Sequence, residues 1–305
     1  MKTIFCRLLL KSRLLLLITF GLLLALITQP LALAGGRVEH HQITSKILVD
    51  AGQPSKKELS VYLPEEYDTS GSAYPVLYLI HGHTGTNRTF LGAGYPIGMA
   101  GMYVNKIADK LIEDGKIKPL IIVLPDMNRE GRRGIDKFYD DYLTKEITPF
   151  VDTNYRTIPN RQGRAISGHS RGGSDAAFIS FSHPEMFSLV GGYVPGSSYR
   201  PTRLPTTDTV NAHNQTLFPL QFWIHAEKND TTNPHSMIRD FANSLEEPGI
   251  PYVFVEGNGT HYVWIAQRLE ESIVFFSEHI SYTLTSVEPR NKITTIWGKV
   301  KSSKF

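Results

Sequence analysis

The run Gly168-His169-Ser170-Arg171-Gly172, followed by Gly173, sets one serine between closely spaced glycines. Its chemistry would be nucleophilic. A strand that turns sharply at such a serine and continues as a helix leaves the hydroxyl exposed, with helix-start N–H groups beside it to receive negative charge. The motif alone is a weak signal, and its flanks make it specific. A strand is expected over Ala165 to Ser167 before it, and a small-residue helix containing Ala176, Ala177 and Ile179 after it.

A serine hydroxyl is a poor nucleophile until a base takes its proton. In the strand-turn-helix setting the helpers follow in the order acid, then histidine. The downstream histidines are His183, His213, His225, His235, His261 and His279. His261 is the best base: it follows a strand at Tyr252 to Val255, in the loop Glu256-Gly257-Asn258-Gly259-Thr260, and precedes a helix. His225 lies inside an apolar strand and reads as a packed residue, and His183 and His279 fall near helix ends. The acid is expected after the strand Phe218 to Ile224, in Ala226-Glu227-Lys228-Asn229-Asp230. Asp230 is chosen there, with Glu227 as the alternative; either would fix the imidazole tautomer and stabilise the imidazolium. Without the serine motif, either carboxylate would read as a solvated loop charge.

Acyl chemistry also needs donors for the developing oxyanion. One is expected from the Arg171 N–H and a second from the His83 N–H, in Leu77-Tyr78-Leu79-Ile80-His81-Gly82-His83-Thr84-Gly85. Loss of one such donor typically costs about 3 kcal/mol of barrier stabilisation. Read instead as metal ligands, His81 and His83 lack any supporting cluster, so no metal is expected.

These groups require a scaffold that brings strand ends together. Ile43 to Val49 and Leu59 to Leu63 read as an opening antiparallel ribbon; Pro75 to Ile80 and Leu120 to Leu124 are continuous apolar runs of the buried parallel kind. Between them Val104, Ile107, Ala108, Leu111 and Ile112 recur at helical spacing, and Gly115 is a stop. A second helical face runs through Leu143, Ile147, Phe150 and Val151. Leu189 to Val194 reads as a further strand, and later helical faces pass through Ile238, Phe241, Ala242 and Leu245 and through Ile265, Leu269, Ile273 and Phe276. The alternation predicts an α/β domain: one doubly wound, mostly parallel sheet with helices on both faces and antiparallel N-terminal strands.

The two ends differ from this body. Lys2, Arg7, Lys11 and Arg13 precede an apolar run from Leu14 to Ile27, then Pro30 and Ala32-Leu33-Ala34. That order reads as a secretory signal peptide over residues 1–34, cleaved after Ala34, too short in its apolar core for the roughly 20 residues of a spanning helix. Secretion or periplasmic export is expected, with no stable membrane insertion after removal. The 32 Lys and Arg, less those four, fall one short of the 29 Asp and Glu. The pI of about 8.8 therefore belongs to the leader, and no nucleic-acid partner is implied. The single cysteine, Cys6, is in the leader, so the remainder has neither disulfide nor thiolate site. A catalytic domain is expected over 35–285. A basic tail follows over 286–305, with Arg290, Lys292, Lys299, Lys301 and Lys304 around Trp297, and reads as solvated or surface-docked.

At this point the chain resembles the esterase D-like, or putative esterase, family, which includes feruloyl and acetylxylan esterases, enterochelin esterases, S-formylglutathione hydrolases and mycolyltransferases. The resemblance rests on Tyr74-Pro75-Val76-Leu77-Tyr78-Leu79-Ile80-His81-Gly82, Ile122-Val123-Leu124-Pro125-Asp126, Thr148-Pro149-Phe150 with Tyr155, the serine motif with Gly173, His183-Pro184-Glu185-Met186-Phe187, Asn229-Asp230 and Gly259-Thr260-His261. It implies an α/β-hydrolase fold, a triad of Ser170, Asp230 and His261, and no cofactor. It also implies a carboxylic-ester hydrolase whose substrate is an acylated saccharide, a phenolic ester or a siderophore ester. An acyltransferase with an alcohol acceptor is the runner-up, and a non-catalytic binding protein on the same scaffold comes third. Three positions depart from the family pattern: Arg171 stands where many relatives have methionine, His83 where a small or apolar residue is common, and Glu227 where a glycine often precedes the acid.

Overall fold

A computed structural model of the chain describes residues 35–92, 102–128, 137–196 and 204–283. The expected leader, with Cys6, and the basic tail, with Trp297, lie outside the described residues.

An 8-stranded sheet forms the centre, in the order β1-β2-β4-β3-β5-β6-β7-β8. Its strands are β1 Arg37–Thr44, β2 Lys56–Leu63, β3 Val76–Ile80, β4 Ile121–Pro125, β5 Arg164–His169, β6 Leu189–Tyr193, β7 Gln221–Glu227 and β8 Tyr252–Gly257. β1 pairs antiparallel with β2 and β2 antiparallel with β4; all later pairings are parallel. The order reverses around β3, so successive crossovers place helices on opposite faces. The principal helices are α1 Val104–Glu113, α2 Thr148–Asn154, α3 Arg171–Ser182, α4 His235–Ser244 and α5 Ile265–His279. Every residue of β3 and β4 is buried, as strands covered on both faces require.

Two stretches depart from the sequence pattern. The apolar run Ile43 to Val49 is not one strand. β1 stops at Thr44, and the Ser45 side chain accepts a hydrogen bond from the Leu48 N–H, capping a short helix over Lys46–Asp50. The helical face through Leu143 and Ile147 contains a π-helical turn, Tyr142–Ile147, directly before α2. Pro149 cannot donate to Lys145, and the Thr148 hydroxyl bonds the Leu143 carbonyl at 2.9 Å, which favours the wider turn.

Candidate active site

β5 runs directly into α3 through Ser170, whose backbone lies at φ 54°. A non-glycine residue is strained there by about 1–3 kcal/mol, so its surroundings must hold it. They do so on both sides. The Ser170 N–H donates to the Tyr193 carbonyl at 2.8 Å, and its own carbonyl accepts from Gly173 and Ser174 at 3.0 and 3.2 Å. Such a turn needs close packing around it. A Cβ at Gly168 would strike the Gly172 backbone, and one at Gly172 would strike the Ile80 and His81 carbonyls.

The Ser170 hydroxyl points at the imidazole of His261, with Oγ 2.9 Å from Nε2. On the far side of the ring, Nδ1–H donates to Asp230 Oδ2 at 2.7 Å. All three residues are nearly buried. Asp230 Oδ1 accepts from the Thr232 and Asn233 N–H groups at 2.7 and 3.0 Å, a turn that fixes the carboxylate. Burial alone would raise its pKa. The His261 hydrogen bond and those two N–H donors outweigh burial and hold it below the usual carboxylate value.

Glu227 is placed differently. β7 continues through it, and its buried carboxylate accepts from His225 Nε2–H at 2.7 Å and from the Gly259 N–H at 2.5 Å. It thus contacts the loop that carries His261, and the carboxylate hydrogen-bonded to the imidazole is that of Asp230. Gly257 leaves the room, since a Cβ there would land on the Glu227 oxygens.

Arg171 is the first residue of α3, and His83 is an exposed residue of the loop after β3. The Arg171 guanidinium joins the two segments: Nη1 lies 3.3 Å from the His83 carbonyl and 3.4 Å from its Nδ1, and Nη2 donates to the Met127 carbonyl at 2.9 Å. This side chain is buried, with its guanidinium engaged by the His83 and Met127 carbonyls. His81 is also occupied: Nδ1–H donates to the Gly82 carbonyl at 2.7 Å, and Nε2 accepts from the Met127 N–H at 2.9 Å. With both ring nitrogens engaged it braces the loop. Among the described residues no group of three or more His, Cys, Asp or Glu is arranged for a metal.

Two contacts were not visible in the sequence. His169, the variable position of the serine motif, donates from Nε2 to the His261 carbonyl at 3.1 Å, its ring centroid 4.9 Å from that of His261. Burial, with the neighbouring His261 adding to it, pushes its pKa down to about 3. Its Nδ1 is buried without a partner, so a second proton there would have no acceptor. Asn233 Nδ2 donates to the Val194 carbonyl at 2.8 Å and stands 3.4 Å from Ser170 Oγ.

A model of the putative esterase family matches residues 53–238. An endo-1,4-beta-xylanase/feruloyl esterase of Xylanibacter ruminicola is 36% identical over 220 residues, 68% of this chain and 27% of that protein. An esterase of Mycobacterium tuberculosis is 32% identical over 125 residues, 39% of this chain and 24% of its own length. The chain thus spans about a quarter or less of the curated relatives it matches. Among solved structures, a ferulic acid esterase superposes with a TM-score of 0.67 at 23% identity, covering 81% of this chain and 99% of that one. An S-formylglutathione hydrolase from Agrobacterium tumefaciens gives 0.61 at 18% identity, covering 81% and 97%. Likeness at that identity speaks for the α/β-hydrolase fold alone.

Proposed function

The chain belongs to the putative esterase family and has its α/β-hydrolase fold, and from that premise we propose that it is a serine carboxylic-ester hydrolase working through Ser170, His261 and Asp230. The observation that carries this reading is the unbroken line of hydrogen bonds from Ser170 Oγ through His261 to Asp230, at 2.9 and 2.7 Å. Ser170 Oγ attacks the ester carbonyl carbon as its proton passes to His261 Nε2. The carbonyl oxygen becomes an oxyanion, received by the N–H groups of Arg171 and His83. Collapse breaks the bond to the alcohol, which leaves with the proton from Nε2. Water then attacks the acyl-enzyme and gives a proton to Nε2, and the second collapse releases the acid and returns that proton to Oγ. Asp230 stays ionised throughout and holds the imidazole in the Nδ1–H tautomer.

The first relative's name, a xylanase/feruloyl esterase, supports acylated saccharides or phenolic esters as the substrate class. Export with cleavage after Ala34 belongs to the same reading. It is supported by the basic, apolar and small-residue order of residues 1–34, and no helix among the described residues is long and apolar enough to cross a membrane. The purified full chain should hydrolyse p-nitrophenyl acetate and take a fluorophosphonate label on Ser170. Absence of both would overturn the reading, and an acyl product on an added alcohol in place of free acid would make it an acyltransferase. The N-terminal residue of protein recovered outside the cytoplasm tests export.

A further inference from the structure

Strain at this site is not confined to Ser170. Val194, buried just past the end of β6, has φ 43°, which is an outlier for a β-branched residue. Only its neighbours can hold such a backbone. The Val194 N–H donates to the His225 carbonyl at 2.9 Å, and the Val194 carbonyl accepts from Asn233 Nδ2 at 2.8 Å. The carbonyl before it, that of Tyr193, receives the Ser170 N–H. One fully buried side chain, Asn233, therefore grips the turn against which the nucleophile's backbone docks.

Asn233 also reaches both ends of the triad. Its backbone N–H donates to Asp230 Oδ1 at 3.0 Å. Its Nδ2 carries two hydrogens, one for the Val194 carbonyl and one for Ser170 Oγ, 3.4 Å away. Gly196 leaves the space, since a Cβ there would come within 2.9 Å of Asn233 Cγ. The other end of the amide, Oδ1, is buried with no hydrogen-bond partner among the described residues. Burying an unpaired acceptor costs stability, so packing does not account for an amide here. Its donor end does.

Resting on the ester-hydrolase reading above, we infer that Asn233 is a catalytic residue whose side-chain N–H stabilises Ser170 Oγ as it leaves the acyl group, and that it acts on deacylation more than on acylation. In the free protein the Oγ proton faces His261 Nε2, and one lone pair accepts from Asn233 while the other is left to attack. That bond exists before acylation as well as during it, so it speeds this step little. In the acyl-enzyme Oγ is the bridging oxygen of an ester, its lone pair is drawn into the carbonyl, and it accepts poorly. Once water has added, the C–Oγ bond breaks and its electron pair passes to Oγ. His261 Nε2 returns a proton to that oxygen, and Asn233, which keeps its own protons, closes on the developing charge. A contact of 3.4 Å has room to tighten at that moment.

The two steps can be read separately in the full chain. For p-nitrophenyl acetate kcat/KM reports acylation, and mass spectrometry of acid-quenched samples follows the decay of the acetyl group on Ser170. Asn233→Leu, close in size but without the donor, should slow that decay about tenfold while kcat/KM changes less than about threefold. Leucine also releases the Val194 carbonyl, so the same exchange is made in a Val194→Gly background, where glycine suits φ 43° and the turn no longer needs the grip. The selective loss should persist there. Equal losses in both steps would overturn the inference by making Asn233 a support for the turn, and so would an unchanged decay. Either result, with hydrolysis and fluorophosphonate labelling intact in the unsubstituted protein, leaves the hydrolase reading standing. An unsubstituted protein that shows neither removes both.

Discussion

The Arg171 guanidinium reaches from the first turn of α3 to the His83 carbonyl at 3.3 Å, so the residue after the serine and the loop after β3 are fastened by one side chain. The two N–H groups proposed for the oxyanion belong to these same two residues. Their separation is therefore set by a hydrogen-bonded strut, with Met127 as its third point.

Replacing that strut should act on the chemical step. Arg171→Lys cannot span both carbonyls and should lower kcat about tenfold, and Arg171→Met about a hundredfold. Stability should fall as well, because buried Asp175 lies 3.6 Å from Arg171 Nε and loses its cation in the methionine variant. Steady-state kinetics check this, and an unchanged kcat in Arg171→Met would show that the loop holds its own position.

Ser170→Ala and His261→Ala should each reduce kcat by at least about a thousandfold with the fold intact. Appreciable turnover by Ser170→Ala would sink the mechanism. Ser170→Gly should be equally inactive but more stable than Ser170→Ala, since φ 54° is strained for alanine and open to glycine. Thermal melts of the pair separate strain from chemistry.

The two acidic positions give opposite expectations. Asp230→Asn presents an amide to Nδ1, favours the wrong tautomer and should lower kcat about ten-thousandfold. Glu227→Gln retains one acceptor for the His225 or Gly259 contact and should lower kcat by only about tenfold. Should Glu227→Gln prove the more damaging, the acid assignment would move to Glu227.

Acid should weaken the fold from near pH 6.5 downward. Burial lowers the pKa of His169 to about 3, and it also lowers those of His81 and His225. The unfolded chain therefore binds more protons than the folded one between the ordinary histidine value of 6.5 and the depressed values, and stability is lost as pH falls through that window. Asp230 acts in the same direction lower down: its folded value lies under 3.8, so its stabilisation is present above 3.8 and lost as pH drops through the folded value. Urea midpoints should be level above pH 7 and decline below it, with a shallower slope in His169→Gln.

Much of the architecture could be read from pattern because β3 and β4 are covered on both faces, which leaves uninterrupted apolar runs in the sequence. The same signal misled at Ile43 to Val49, where hydrophobicity continues across the Ser45 cap and only a side-chain hydrogen bond ends the strand. At the acid the difficulty was strand length. His225, Ala226 and Glu227 keep pairing with Val255, Glu256 and Gly257 after the apolar run has ended. Glu227 therefore stays in the sheet and Asp230 falls in the turn. The contacts of His169 and Asn233 left no trace, because each depends on where a distant backbone carbonyl arrives, at His261 and Val194.

His169 and Glu227 grip the loop through main-chain atoms, the carbonyl of His261 and the N–H of Gly259, and neither grip uses the His261 side chain. A protein lacking that imidazole should keep an imidazole-shaped recess, with Asp230 and Ser170 still facing each other across it. Free imidazole added to His261→Gly should enter the recess and recover part of the lost turnover in a saturable manner. The catalytic base would then be a replaceable part, with its socket built by residues that take no proton in the reaction.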